Sequence, residues 1–236
     1  TAALEGLENL AMNSDTSLAT TGNQVVVGGL VEFIGNEENN VDHRTKGIEA
    51  LTAWASKDDM DAVRCLISCL QSEHDSMVTA ALEGLENLAM NSDTSLATTG
   101  NQVNLAMNSD TSVMNAVSAF LVKKPGTGDM RSSAMTRHSA VHLLAKLAEE
   151  ADASIQSSAI AVLATCLGDP DSEVRSATMI QIFILASSES ADRSWVSSVK
   201  AHIDSPDVNI GEVCKEILDL YGGESSVRPC AQRLQA

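Results

Sequence analysis

The sequence predicts an all-α fold in which helical hairpins stack into an elongated solenoid. Three observations lead there. Apolar residues make up 44% of the 236 residues but aromatics only 3%, so the core must be built from Leu, Ile, Val, Ala and Met, which favours helices over a β-rich fold. A motif of a small residue followed by large ones at +4 and +7 recurs six times, and those positions share one helix face. A second motif with the mirrored spacing, +3 and +7, falls between its copies. Two helix types therefore alternate. A lone hairpin of this kind cannot cover its apolar stripe, whereas stacked neighbours can.

In chain order, Ala3/Leu7/Leu10 forms a leading half-repeat. Val27/Leu30/Ile34 is then followed by Gly47/Leu51/Trp54, Val63/Leu66/Leu70 by Ala81/Leu85/Leu88, and Met114/Val117/Leu121 by Ala140/Leu144/Leu147. Ile160/Leu163/Leu167 precedes Thr178/Ile182/Leu185, and Val196/Val199/Ile203 precedes Cys214/Leu218/Tyr221. Most copies of the first motif close on alanine (Ala11, Ala55, Ala89, Ala148, Ala186), where neighbouring helices can approach closely.

The turns agree with the stripes. Asp169-Pro170-Asp171-Ser172-Glu173-Val174-Arg175 supplies a helix stop, an Asp or Ser as the next N-cap, and acidic residues in the first turn where the helix dipole favours them. Asp204-Ser205-Pro206-Asp207 repeats the device. In these residues the chain resembles the HEAT family, whose first helix ends in an Asp-Pro turn and whose second opens on Val-Arg before an Ala- and Leu-rich face. Residues 151–187 match that turn well. The arginine recurs as Arg44, Arg137 and Arg175, while Val78 and the Gly211-Glu212 region depart from it. The resemblance implies a right-handed α-solenoid of about five HEAT-like hairpins plus the N-terminal half-repeat, over residues 1–221, with 222–236 as a tail or short cap.

One stretch breaks the rhythm. Residues 1–25 are identical to 79–103, and NLAMNSDTS appears a third time at 104–112. Surface positions of repeats kept only by core packing drift, so identity at every polar site points to a very recent duplication or a misassembled sequence. Successive small residues of the first motif lie 44, 34, 59, 38 and 36 residues apart, and the second motif recurs at 36, 51, 46 and 36. Removing the 17 residues 96–112 turns the outliers 59 and 51 into 42 and 34. This segment is expected to be a duplicated insertion or loop that adds no repeat, and Thr98, Thr99, Gly100, Asn101 and Asn108 suit a loop.

The net charge of −17 argues against nucleic acid, since a polyanionic surface repels a phosphate backbone. It is uneven: residues 1–103 carry 16 acidic and 4 basic side chains, residues 104–236 carry 16 and 11. Any electrostatic preference should sit in the N-terminal half. Cys65, Cys69, Cys166, Cys214 and Cys230 follow no paired spacing, which suits buried thiols in a reducing intracellular compartment, cytoplasm or organelle interior, without disulfides. No stretch approaches the ~20 apolar residues that span a bilayer, so direct membrane insertion is not expected. The chain opens on helix-like sequence without Met or a basic leader, as a processed or truncated chain would.

Chemistry-bearing patterns are sparse. His138 and His142 are spaced i, i+4, as two ligands of one metal can be, but no HExxH pattern or third ligand accompanies them, and they read as helix-surface histidines. Cys65 and Cys69 share that spacing beside Leu66 and Leu70 and read as buried small hydrophobes. No GxSxG elbow, Walker loop or dinucleotide fingerprint is present, and Pro125-Gly126-Thr127-Gly128 reads as a linker. The signatures of HEAT-like lyases or hydroxylases are absent. No enzyme, cofactor or metal site is therefore expected. Trp54 takes the position of Leu10, Leu88 and Leu147 and reads as core, while Trp195, one position before Val196, has room for partial exposure.

The surface beside the first motif is more informative. Two and five positions after the small residue come Glu5 and Glu8, then Glu49 and Thr52, then Glu83 and Glu86, which would align into an acidic ridge. The later equivalents are His142 and Ala145, then Ile180 and Phe183, so the band turns apolar. In the HEAT family the second helices line the concave, partner-binding side, and the resemblance implies the same for Glu5, Glu8, Glu49, Glu83, Glu86, Ile180 and Phe183. Such a band suits a basic or amphipathic segment of another protein, although a solvated charged face would look the same in sequence. The expected function is a scaffold or adaptor for protein–protein interaction. The alternative is an accessory structural subunit fixed in a large assembly. Armadillo-type cargo binding would fit the acidity but lacks its Trp/Asn ladder.

Overall fold

The computed structural model describes residues 6, 19–55, 59–90, 102–122, 133–149, 151–187, 193–205 and 208–222. Among them the structure is all-α. Ten helices follow one another: α1 (Ala19–Gly35), α2 (Val41–Trp54), α3 (Met60–Cys69), α4 (Asp75–Met90), α5 (Gln102–Val122), α6 (Ala134–Glu149), α7 (Ala153–Cys166), α8 (Ser172–Ala186), α9 (Val196–Lys200) and α10 (Val208–Ile217). The last continues into a wider π-helical turn, Leu218–Gly222. They form five successive hairpins. The leading half-repeat, apart from a helical Gly6, lies outside the described residues.

The helices begin where side chains can take up free backbone N–H groups. Asn40 accepts from the Asp42 amide, Asp59 from Asp61 and Ala62, Asp152 from Ile155, and Asp171 from Glu173 and Val174. Three of these four starts also carry a carboxylate in the first turn, Asp42, Asp61 and Glu173, at the positive end of the helix dipole. The arginines of the second helices serve the opposite ends. Arg44 Nε donates to the Ile34 carbonyl at 2.7 Å, near the end of α1, and Arg175 Nη1 donates to the Asp169 and Pro170 carbonyls at 2.9 and 3.0 Å. Each cation thus ties its helix to the preceding turn, where carbonyls lack intrahelical partners.

Both stripes point inward. Val27, Leu30 and Ile34 on α1, Val63, Leu66 and Leu70 on and just after α3, Met114, Val117 and Leu121 on α5, and Ile160, Leu163 and Leu167 on and just after α7 are buried. So are Leu51, Leu85, Leu88, Leu144, Ile182 and Leu185 of the second helices. The small residues that open those stripes, Gly47, Ala81, Ala140, Thr178 and Cys214, are buried as well. Of the stripe residues in the last hairpin, Val199 and Cys214 are fully buried, while Val196, Ile203, Leu218 and Tyr221 are half-covered.

The chain divides into two compact units, Thr1–Leu147 and Ala148–Ala236. In the first, α1 packs on α3 and α3 on α5, while α2 packs on α4, so the two helix types form two layers that also touch within the α1–α2 and α3–α4 hairpins. Hydroxyls stitch the second layer together. Thr45 Oγ1 lies 3.4 Å from Ser76 Oγ, and Thr79 Oγ1 lies 3.0 Å from the fully buried Thr136 Oγ1. The Ser133 amide donates to Asp75 Oδ2 at 3.0 Å. Close approach is strictest at Gly84, where a Cβ would come within 2.5 Å of Thr52 Oγ1. In the second unit α7 packs on α9 and α8 on α10, with α8 also against α7.

Three expectations need correction. Residues 102–112 are not a loop: they form the leading part of α5, and 96–101 lie outside the described residues. The run Gln102–Val122 contains neither Gly nor Pro, so no residue in it breaks the helix where it enters the copied segment. Trp195 is buried, with 1% of its surface exposed, because the turn before α9 folds the indole inward. Trp54 is only half-buried, as the last residue of α2.

Candidate interaction surface

The second helices bury the stripe, and the positions two and five residues after its small residue lie off it. On α2 and α4 of the first unit these are Glu49 and Glu83, both exposed, followed by half-buried Thr52 and Glu86. The Thr52 hydroxyl donates to the Ile48 carbonyl at 3.0 Å, which leaves the carboxylates as the charged groups of the pair of helices at these positions. Glu5 and Glu8 lie outside the described residues. On α6 the equivalent His142 is exposed, but Ala145 is fully buried and so does not belong to the band. Burial and the neighbouring His138 hold the His142 imidazole below its ordinary value, while Glu86 pulls it upward.

In the second unit, Ile180 and Phe183 of α8 are exposed as the motif predicts. Ile184 is exposed beside them, a residue the two-position pattern missed; its place four residues after Ile180 and off the buried stripe is the signal that could have found it. The Phe183 ring meets Tyr221 edge to face, with centroids 5.7 Å apart and planes at 78°.

The His138 and His142 rings lie with centroids 4.6 Å apart and planes tilted by 55°, and no group of three or more His, Cys, Asp or Glu side chains able to hold a metal ion occurs among the described residues. Cys65, Cys69, Cys166 and Cys214 are free and buried. A hydrogen bond with Cys69 and burial push the Cys65 thiol up, and burial raises Cys214. The same Cys65 hydrogen bond lowers the Cys69 thiol. The Trp195 indole N–H has no hydrogen-bond partner among the described residues. No described helix is long and apolar enough to cross a membrane.

No family model matches the sequence, and no curated protein sequence matches it. Among solved structures, an engineered protein determined by the Northeast Structural Genomics Consortium is similar at 16% identity and a TM-score of 0.51, over 92% of this chain and 95% of its own. The archaeal HEAT-like repeats protein from Thermococcus onnurineus NA1 aligns over 92% of this chain and 79% of its own, at 14% identity and a TM-score of 0.45. At such identities likeness concerns the fold alone. With an Asp cap on α8, the arginines of α2 and α8 turned onto the preceding carbonyls, and helices of the same type packed on one another within each unit, the described fold is an all-α array of helical hairpins.

Proposed function

We propose that the chain is a scaffold or adaptor that binds other proteins through the outward faces of its second helices. The observation that carries this reading is the repetition of Glu49 on α2 and Glu83 on α4, exposed at the same motif position of two helices that pack side by side. Core packing does not require carboxylates there, and with half-buried Glu86 they give a cationic partner segment charges to follow, a register that the sequence motif repeats at Glu5 and Glu8. Complementary charge of this kind raises association rate and specificity more than raw affinity.

The test is charge reversal. Partners recovered by affinity purification with the parent chain should be lost, or should lose their salt sensitivity, with the Glu5→Lys, Glu49→Lys, Glu83→Lys and Glu86→Lys substitutions combined. Recovery of the same partners at the same salt dependence would reject the ridge as the binding surface.

A further inference from the structure

On α8, Ile180, Phe183 and Ile184 stand 58%, 38% and 43% exposed, although Thr178, Ile182 and Leu185 already fill the core side of the same helix. Counted from the buried small residue, Glu216 and Asp219 fall on α10 and its terminal turn where Ile180 and Phe183 fall on α8. Both carboxylates are exposed, as is Glu212, against a single cation of α10, Lys215. The two helices pack together, and the edge contact of Phe183 with Tyr221 joins the apolar face to the acidic one. Within the second unit alone, an apolar strip therefore runs directly beside a row of carboxylates.

We infer that this face holds a basic amphipathic helix of a partner protein, its apolar stripe seated on Ile180, Phe183 and Ile184 and its Lys or Arg side chains facing Glu216 and Asp219. The inference rests on the scaffold reading and adds to it a second surface and the chemistry of its occupant. Side chains at i, i+3 and i+4 present the contact a partner helix meets with its own apolar face. The flanking carboxylates select its charge. A second copy of this chain would bring the same carboxylates towards each other, and an anionic bilayer would be repelled by a chain of net charge −17.

The probe is a fluorescein-labelled synthetic helix of about 18 Leu and Lys residues with Leu at i, i+3, i+4 and i+7, beside a scrambled isomer of the same composition. Binding to the full chain is read by fluorescence anisotropy. The parent chain should bind the amphipathic peptide and discriminate against the scrambled one. Ile180→Ser with Phe183→Ser should weaken binding about tenfold, and Glu216→Lys with Asp219→Lys should weaken it and flatten its dependence on NaCl. Glu49→Lys with Glu83→Lys, in the other unit, should change it by less than about twofold. All six side chains are exposed, so each variant should keep the parent's circular dichroism.

Absence of peptide binding by the parent chain, equal binding of both peptides, or unchanged affinity in the Ile180→Ser, Phe183→Ser chain overturns the inference. So does conversion of a dimer to a monomer by that variant in sedimentation, which would identify a second copy as the occupant. Flotation with phosphatidylserine vesicles that the same variant abolishes would assign the face to a membrane and likewise overturn it. If only the Glu49→Lys, Glu83→Lys chain loses binding, this inference fails while the scaffold reading stands.

Discussion

At Gly211 an added Cβ would meet the Ile203 carbonyl oxygen at 2.7 Å, and that oxygen belongs to the backbone of the preceding turn. Gly28, inside α1, has nothing within 4 Å of the same point. Gly211→Ala is therefore expected to destabilise by about 1–3 kcal/mol through forced backbone movement, while Gly28→Ala should stabilise by about 0.5–1 kcal/mol through helix propensity. Urea denaturation of the two variants checks the opposite signs. His142 and His202 both titrate below the ordinary value of 6.5, the first mainly through burial with His138 adding to it, the second through burial. A folded-state value below the unfolded one means that the unfolded chain binds protons more readily. The contribution of these residues is present above about pH 6.5 and is lost as pH falls below it. The urea midpoint should drop between about pH 7.5 and 5.5, and a His142→Gln, His202→Gln chain should drop less.

Among the elements, α8 has the most completely specified start. Asp171 Oδ1 accepts the Glu173 and Val174 amides at 2.8 and 3.3 Å, Glu173 stands in the first turn, and Arg175 reaches back to the Asp169 and Pro170 carbonyls. Asp171→Ala removes the acceptor of two amides and is expected to lower stability by about 1 kcal/mol, measured as a shift of the thermal midpoint. This turn was the clearest family resemblance in the sequence, and its legibility has a local cause. Caps and turn carbonyls lie within six residues of one another, so the chemistry that fixes them is written in consecutive positions. α5 is the opposite case. Repeat spacing marked 96–112 as surplus and its polar residues suggested a loop, yet from Gln102 the backbone is helical. Repeat spacing counts hairpins, and a helix can lengthen without changing that count.

At the scale of the molecule, charge dominates. A net charge of −17 over 236 residues places many carboxylates on the surface, and exposed pairs such as Arg64 with Asp61 at 3.0 Å contribute little against their mutual repulsion. Raising NaCl from about 20 mM to about 300 mM shortens the Debye length to below the span of a helix and should raise the thermal midpoint. Calorimetry across that range checks the direction. An unchanged or falling midpoint would show that the carboxylates are already balanced in the folded state. The two compact units also give the stripes a division of labour, with carboxylates at the outward positions of α2 and α4 and apolar side chains at those of α8.

The sequence by itself determined the helix types, their order and their buried faces, because a period of 3.6 residues converts spacing directly into a side of a helix and burial follows from that side. It also determined that Glu49 and Glu83 recur in register and that Ile180 and Phe183 replace such carboxylates later. Only the tertiary structure decided what each position meets. Ala145 shares the register of Glu86 yet is fully buried, and Trp195 turns inward. Ile184 joins the exposed face, and Tyr221 closes against Phe183 from 38 residues away. Periodicity specifies direction about one helix axis, whereas exposure depends on which neighbouring helix, at what distance, occupies that direction.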